Sequence, residues 1–464
     1  MSQLHLTYLY LRSKKKKQSV PELKNYPMVT VQLPVFNEKY VIERLIDSVV
    51  QLDYPKDKLE IQVLDDSTDE SIELAARKIK EYQLLGYNIQ HIFRSDRVGF
   101  KAGALAYGTK SAKGEFLAIF DADFVPDPSF LKRTVPYFES SKIGCVQTRW
   151  SHLNKDYSVL TKMQAFGLDA HFTVEQTGRN SAQSFINFNG TAGIWRKACI
   201  EDAGGWSADT LTEDLDLSYR AQLKGWKFQY AEDVESPAEL PVIMPAIKSQ
   251  QFRWNKGAAE TARKNLGKVL RSDRTLMTKF HAFFHLNNSS VFLYLFAAAL
   301  LSIPVLLIKV EDPVFDSLKA FGHFLFFGFL SVTAYFYTST QVLGLEHPKR
   351  YFFKVFPVFL TISLGLSFHN SLAVAEGLLG KKTAFIRTPK FNILSKKDSW
   401  IGNRYIKLRL DWQTIVEGLL ACYFGFGILM AFHMDDFIMI IFHVMLTLGF
   451  SAIFVHSIRA LRHA

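Results

Sequence analysis

Apolar and polar positions divide this chain into two parts that are patterned differently. In the first part, short apolar runs alternate with amphipathic stretches. Val29–Val35, Leu59–Leu64, Ile89–Phe93, the Phe116–Phe120 run after Gly114, and Ile143–Gln147 are bounded by polar clusters and too short for helices, so they read as strands. Between them the period lengthens. Val41, Leu45, Ile46 and Val49 recur at helical spacing, a second helix is predicted from Asp69 through Leu84 and Leu85, and a short alanine-rich one over Lys101–Lys110. Strands alternating with helices predict a parallel sheet with helices on its faces.

From about Phe283 the runs become much longer: Val291–Ile308, Phe321–Leu345, Val355–Leu379, Trp412–Phe432 and Phe437–Val455. Runs of this length suit a bilayer, so a soluble domain is fused to a membrane domain. Ahead of them, Met244–Arg271 mixes apolar and basic residues at helical spacing. It reads as an interfacial helix lying on the membrane, or as a basic surface helix of the soluble half.

Charge refines the topology. The 464 residues carry a net charge of +11. No basic-aromatic nucleic-acid motif accompanies it, so no nucleic-acid partner is expected. The charge gathers beside the apolar runs instead. Lys381–Arg409 holds nine Lys or Arg (381, 382, 387, 390, 396, 397, 404, 407, 409) against one acid, Asp398. Such a loop belongs on the cytoplasmic side. With a cytoplasmic first half, two spans bring the chain back inside, and a complete third would put the basic loop outside. Val355–Leu379, which contains Pro357, His369, Asn370 and Glu376 between Lys354 and Lys381, is therefore expected to lie in the interface or re-enter. The last two runs make a hairpin across Met434-Asp435-Asp436. Leu4–Leu11 is too short to span and runs into Lys14–Lys17, reading as the tail of a membrane helix or as a short interfacial anchor rather than a cleavable signal. Cys145, Cys199 and Cys422 suggest neither a disulfide framework nor zinc, which fits a reducing compartment.

Candidate chemistry sits at strand ends. Asp121 and Asp123 follow the fourth apolar run, where ligands bind in open α/β sheets. Alternation puts both on one side, so they could share a hard cation, Mg²⁺ or Mn²⁺, suited to a diphosphate; an acidic turn is the other reading. Asp65 and Asp66 end the second run and would face the same cleft. The first strand–helix turn lacks Gly-x-Gly-x-x-Gly, which disfavours a dinucleotide oxidoreductase. The turn-rich Phe185–Gly193 stretch would let backbone approach a ligand. Thr212 reads as an N-cap followed by Glu213, Asp214 and Asp216 in the first helical turn.

Taken in order, Asp65-Asp66-Ser67-Thr68-Asp69, Asp121-Ala122-Asp123, Thr212-Glu213-Asp214 and Gln250-Gln251-x-Arg253-Trp254 resemble glycosyltransferase family 2 in its membrane-embedded branch. Cellulose, hyaluronan and chitin synthases share this pattern. The resemblance is nearest to the plant cellulose-synthase-like A and C families, whose members make mannan or glucan backbones. Lys101-Ala-Gly-Ala-Leu, His171-Phe-x-Val-Glu-Gln and Phe188-Asn-Gly-Thr-Ala-Gly look like theirs too. The match runs from about Val29 to Trp254 and continues more loosely beyond. Phe385-Ile386-Arg387-Thr388-Pro389-Lys390 is similar to the cellulose synthase gating loop Phe-x-Val-Thr-x-Lys, with Arg387 in place of valine; a plain basic anchor is the other reading.

The resemblance implies a cytoplasmic, Rossmann-like α/β domain of the glycosyltransferase-A type over residues 28–240, after an N-terminal basic or interfacial segment 1–27. Interfacial helices (241–285) and an all-α transmembrane domain (286–464) with its basic loop (381–411) follow. It implies an inverting, processive, metal-dependent β-glycosyltransferase that polymerises hexose from UDP-glucose or GDP-mannose into a β-glucan or mannan. Asp65, Asp66, Lys101, Asp121, Arg253 and Glu38 would bind the donor, and Asp121 and Asp123 the metal. Asp214, beside Glu213, would be the general base. Trp254, Gln250, Asn189 and Gly190 would bind the acceptor, and Phe385, Thr388 and Lys390 would form the gating loop. Trp254 as a simple interfacial anchor is the other reading of that residue. The partners are then the nucleotide sugar, the growing polysaccharide and membrane lipid, with accessory export subunits as candidates. Two competitors remain: single transfer to a lipid, as in ceramide glucosyltransferases, and a non-enzymatic scaffold, which the intact carboxylates disfavour.

Overall fold

The computed structural model describes residues 2–14, 23, 25–308, 314–406 and 410–462, without the side chains of 314–325. Lys15–Lys17 of the N-terminal basic run, and Lys407 and Arg409 of the basic loop, lie outside the described residues.

After α1 (Ser2–Ser13), the apolar runs of the first half all form strands. They are β1 (Val29–Val35), β2 (Leu59–Asp65), β3 (Asn88–Phe93), β4 (Phe116–Ile119) and β5 (Ile143–His152). Between the first four lie α2 (Ile42–Val50), α3 (Ser71–Leu84) and α4 (Phe100–Ser111), with α5 (Phe130–Thr134) before β5. Leu45, Ile46 and Val49 of α2 with Ala75 and Ile79 of α3 cover one face of the sheet, and Ala102, Ala104 and Leu105 of α4 pack on the other. With both faces covered, the central strands lose their alternation, and every residue of β2 is buried. The polar residues caught there pair across the strands. Thr30 Oγ1 donates to Glu60 Oε2 at 2.6 Å, and Gln32 Nε2 to Gln62 Oε1 at 3.0 Å.

The sheet is not wholly parallel, which corrects the expectation. α6 (Val159–Ala170) and α7 (Gln176–Ser181), joined by one π turn over His171–Glu175, lead to β6 (Gly193–Arg196), which runs antiparallel to both β4 and β5. With α8 (Lys197–Asp202), α9 (Glu213–Leu223) and β7 (Lys227–Ala238) the order becomes β3-β2-β1-β4-β6-β5-β7. β6 has only four residues and opens with glycine, so it carried no strand pattern. Its direction matters because an antiparallel strand enters at the carboxyl edge of β4. The Phe188–Ala192 lead-in is thereby laid beside Asp121, with Ala192 N donating to Ile119 O at 2.8 Å and Asp121 N to Thr191 Oγ1 at 2.8 Å.

α10 covers Met244–Arg271, the range read from the periodicity. It is more enclosed than a helix lying on a surface, since it packs against α9, α11 (Leu276–Leu286) and α15. Lys256 is fully buried and pairs with Glu376 at 3.0 Å. Gly257 allows a backbone-close approach to Thr212, whose Oγ1 and N would lie 2.8 Å from any Cβ there. Thr212 does sit at the N-cap of α9, but its side chain makes no cap; its hydroxyl turns to Thr261 at 3.2 Å.

The helical half continues with α12 (Val291–Ile308), α13 (Val314–Val342), α14 (Pro348–Gly365), α15 (Ser367–Leu379), α16 (Trp412–His433) and α17 (Phe437–Arg462). Among the described residues, three helices are long and apolar enough to cross a membrane: Asn288–Ile308, Trp412–His433 and Phe437–Arg462. α14 and α15 would add a span only as a pair bent by 53°, the geometry of a broken or re-entrant segment. Gly365 and Gly449 let α14 cross α17 at backbone distance.

Candidate active site

Strand ends deliver the acids. Asp121 and Asp123 lie just past β4, where a turn rather than strand alternation brings both to one cavity. Asp121 Oδ1 accepts from Lys101 Nζ at 2.6 Å, and the same ammonium donates to Gly190 O at 2.9 Å. Asp123 is buried. Its Oδ2 pairs with Lys390 at 2.8 Å, while its Oδ1 has no hydrogen-bond partner. Among the described residues no three His, Cys, Asp or Glu cluster closely enough to hold a metal by themselves. Two carboxylates with an unpaired buried oxygen therefore fit a divalent cation as half a site, which a diphosphate would complete.

The other strand-end pair is divided. Asp66 reaches the cleft, held by Arg94, whose Nε lies 2.9 Å from Oδ1 and whose Nη2 contacts Oδ2. Asp65 does not. It is buried at the end of β2, with His91 Nε2 2.8 Å away and the Ser67 amide donating to it at 2.8 Å. Successive residues of a strand point to opposite faces, and only one of the two can face the cavity.

The third acidic turn faces them across the cleft. Gly190, at φ +81°, brings the Asn189–Gly190 turn so close that a Cβ there would stand 3.0 Å from Asp214 Oδ2. Asp214 Oδ1 accepts from its neighbour's amide, Leu215 N, at 2.8 Å. Burial and the adjacent Glu213 charge push its pKa up to about 7, against the pull of Lys101. Burial disfavours the Lys101 charge, but Asp121 and Glu213 outweigh it, so that ammonium is held above its ordinary pKa. An acid that accepts protons near neutrality thus faces a lysine that keeps its charge.

The basic loop closes the side of the cleft that holds Glu38 and Asp66. Phe385 stacks on Phe100 with centroids 5.5 Å apart, and the Arg253 guanidinium lies 5.0 Å from its ring. Arg387, at the departure from the gating-loop pattern, makes an ion pair with buried Glu38, whose pKa burial raises to about 7. Thr388 is buried beside them and lines the cavity. Glu239 was missed in the sequence. It accepts from Phe391 N at 3.0 Å and Asn392 N at 2.9 Å, and so clamps the loop to the sheet. The available signal was the one used for the other acids, a carboxylate directly after a strand, but β7 itself was not recognised.

The opposite side of the cleft leads away from these charges. Asn189, Gly190, Gln250 and Trp254 line the cavity that holds Asp214. Gln250 and Trp254 also line a second cavity of about 340 Å³ that continues between α6, α10, α12 and α14, past Gln251, Asn288, Phe292 and Phe359. Leu168, Gln250 and Trp254 line both, so the two cavities adjoin at Trp254. Of the residues given a donor, metal, base, acceptor or gating-loop role from the sequence, all except Asp65 line these adjoining cavities.

Residues 27–257 match the family described as glycosyltransferase like family 2. The chain is 36% identical over 421 residues to probable glucomannan 4-beta-mannosyltransferase 3 of Arabidopsis thaliana, covering 86% of this chain and 72% of the relative. To glucomannan 4-beta-mannosyltransferase 1 of Oryza sativa subsp. japonica it is 36% identical over 433 residues, covering 90% and 80%. A mannosyltransferase from Pyrobaculum calidifontis, solved in complex with GDP-Man and Mn²⁺, shares the fold at a TM-score of 0.56 and 20% identity, over 82% of this chain and 96% of that one. With these matches spanning both the sheet and the helices, the chain belongs to glycosyltransferase family 2, has a domain of the glycosyltransferase-A fold, and counts the cellulose-synthase-like A glucomannan 4-beta-mannosyltransferases among its relatives.

Proposed function

We propose that this protein is a membrane-bound, inverting β-mannosyltransferase that adds mannose from GDP-mannose repeatedly to a growing polysaccharide. The sugar follows the names of the plant relatives, and the donor follows the GDP-Man bound by the Pyrobaculum calidifontis mannosyltransferase. The observation that carries repeated addition is the junction at Trp254, where a cleft containing the base adjoins a cavity large enough for sugar rings and bordered by membrane helices. Single transfer to a lipid acceptor is the runner-up, because the same cavity has Phe292, Phe359 and Ile362 on its walls.

In this reading Asp214 takes the proton from the acceptor hydroxyl. Its raised pKa matches that task near neutral pH. Attack on the anomeric carbon opposite the diphosphate turns an α-linked donor into a β-linked product. Asp121 and Asp123 would hold a divalent cation, Mg²⁺ or Mn²⁺, which when bound supplies charge neutralisation to the departing diphosphate. Lys101 and Arg253 add fixed positive charge on the donor side, where such preorganised charge is most effective. Asp66, with Glu38 behind Arg387, frames the pocket for the nucleoside end.

We also propose a multi-pass arrangement with the catalytic half in the cytoplasm. Lys390 and Arg387 reach into the cleft, so the basic loop and the catalytic half share one side of the membrane. Its positive charge favours the cytoplasmic side. An even number of crossings must then separate Glu239 from Lys381. α12 and α13 supply two, and the bent α14–α15 pair re-enters.

The test is incubation of purified protein with labelled GDP-mannose, UDP-glucose and related donors, followed by sizing and linkage analysis. A β-linked mannan from GDP-mannose is expected. A product confined to one sugar on an extractable lipid would overturn repeated addition and establish the runner-up.

A further inference from the structure

Behind the acceptor side lies a hydrogen-bonded chain whose direction can be worked out atom by atom. It begins at a backbone carbonyl, which can only accept. Gln176 Nε2 donates to Asn187 O at 3.0 Å and, with its other hydrogen, to Asn189 Oδ1 at 2.7 Å. The side-chain oxygen of Asn189 is thereby assigned to Gln176, and its amide nitrogen faces His171 Nε2 at 3.1 Å. That nitrogen has only hydrogens to offer, so His171 Nε2 accepts and the imidazole carries its proton on Nδ1. Nδ1 then donates to Glu175 Oε2 at 3.0 Å. The other carboxylate oxygen, Glu175 Oε1, takes a fork from Arg179 Nε and Nη2 at 3.1 and 2.9 Å. Arg179 Nη1 ends the chain on a second carbonyl, His281 O, at 2.9 Å.

The chain is built into the fold. The π turn over His171–Glu175 sets these two side chains beside each other, and such turns are frequent at functional sites. Burial works against the Glu175 charge, yet Arg179 and His171 outweigh it and hold its pKa well below the usual carboxylate range. The backbone of Asn189 is also pinned, its N–H donating to Gln147 Oε1 at 2.9 Å. Once one amide hydrogen is given to His171, Asn189 keeps one more, and the residue lines the cavity that contains Gly190, Asp214 and Trp254.

We propose that His171 and Glu175 are positioning residues that lock Asn189 with one amide N–H offered to a hydroxyl or ring oxygen of the acceptor's terminal sugar, next to the base Asp214. This rests on the polysaccharide-synthase reading given above. The chemistry suits the task. The acceptor is neutral, and a neutral donor there does not compete for the anionic diphosphate held by Lys101 and Arg253. A fixed amide also discriminates more sharply than a rotating one, because a partner lacking the hydroxyl leaves a desolvated N–H unpaired.

The experiment measures donor affinity and acceptor KM separately, with GDP-mannose as donor and a soluble β-linked manno-oligosaccharide as acceptor. His171→Phe removes the accepting nitrogen and should raise acceptor KM roughly tenfold, the effect of losing one oriented hydrogen bond. Donor affinity should stay unchanged. His171→Gln keeps an acceptor toward Asn189 and a donor toward Glu175, so it should recover most of the loss. Asn189→Ala should reproduce His171→Phe, and the double variant should be no worse than either single one. Additive effects, a parallel fall in donor affinity, or a glutamine variant as impaired as the phenylalanine one would overturn the proposal and leave these residues as packing. Wild-type protein that hydrolyses GDP-mannose but elongates no oligosaccharide would overturn the function reading and this proposal with it. Elongation unchanged in His171→Phe would overturn the proposal alone.

Discussion

The two sides of the cleft are held by opposite means. On the proposed donor side four acids each have a cation of the protein as partner: Asp121 has Lys101, Asp123 has Lys390, Glu38 has Arg387 and Asp66 has Arg94. On the proposed acceptor side neutral groups set the geometry, with Asn189 fixed by Gln176 and His171, and Trp254 lining the cavity beside Gln250. Ion pairs can exchange partners with a charged ligand at little net cost, since one charge–charge contact replaces another. Neutral hydrogen bonds and an aromatic face suit a sugar chain that must be read and then released. In the proposed function the donor side is thus arranged for exchange and the acceptor side for register.

The largest test of this contrast is removal of divalent cations. In the proposed mechanism EDTA abolishes transfer and added Mn²⁺ or Mg²⁺ restores it, and Asp123→Ala is inactive under both conditions. Full activity in EDTA would show that Asp123 serves only as the partner of Lys390.

Next in size is Asp214→Asn, which keeps shape and removes basicity. Turnover should fall on the order of 10²-fold or more while nucleotide-sugar affinity survives. The pH dependence has a definite sign. The base works when ionised, so activity rises with pH through its titration, and burial with Glu213 moves that limb up toward about 7 from the ordinary 3.8. A rate already flat from pH 4 upward would remove Asp214 from the role.

Trp254→Ala separates the two sides directly. Metal-site and donor residues stay in place, so hydrolysis of the nucleotide sugar should persist while long polymer disappears from the sized product. If donor hydrolysis is lost to the same degree, Trp254 belongs to the donor site.

The smallest expected effect is Gly257→Ala. A Cβ there would meet Thr212 backbone and side chain within 2.8 Å, so α10 must shift away from the turn that carries Asp214. A loss of about 1–3 kcal/mol is expected from such overpacking, read as a lower unfolding temperature, together with a several-fold drop in turnover. Unchanged stability and turnover would mean that α10 does not need this close approach.

Much of the site could be read along the chain because strand-end carboxylates and the Gln250–Trp254 element are contiguous signals. Asp121 and Asp123 were picked out by their position at a strand end and Asp214 by the family resemblance, and all three line one cavity. The misreading of Asp65 has a simple cause: adjacency in sequence says that one of two neighbours faces the cleft, not which one. Glu239 escaped because β7 mixes polar and apolar residues without clean alternation, so its end could not be located. β6 escaped because four residues opening with glycine carry almost no periodic signal.

By itself the sequence determined the two-part architecture, the first five strands, the extent of α10 and the presence of acids at the ends of β2 and β4. Each of these follows from local periodicity or from residue type at an element's end, which a linear string records. Only the tertiary structure decided that β6 runs antiparallel, that Arg387 returns 349 residues later to Glu38 and Lys390 267 residues later to Asp123, and that Asn189 is held between Gln176 and His171. Those are pairings between distant segments, set by which faces must be buried together and which polar atoms then need partners, and neither requirement has a period along the chain.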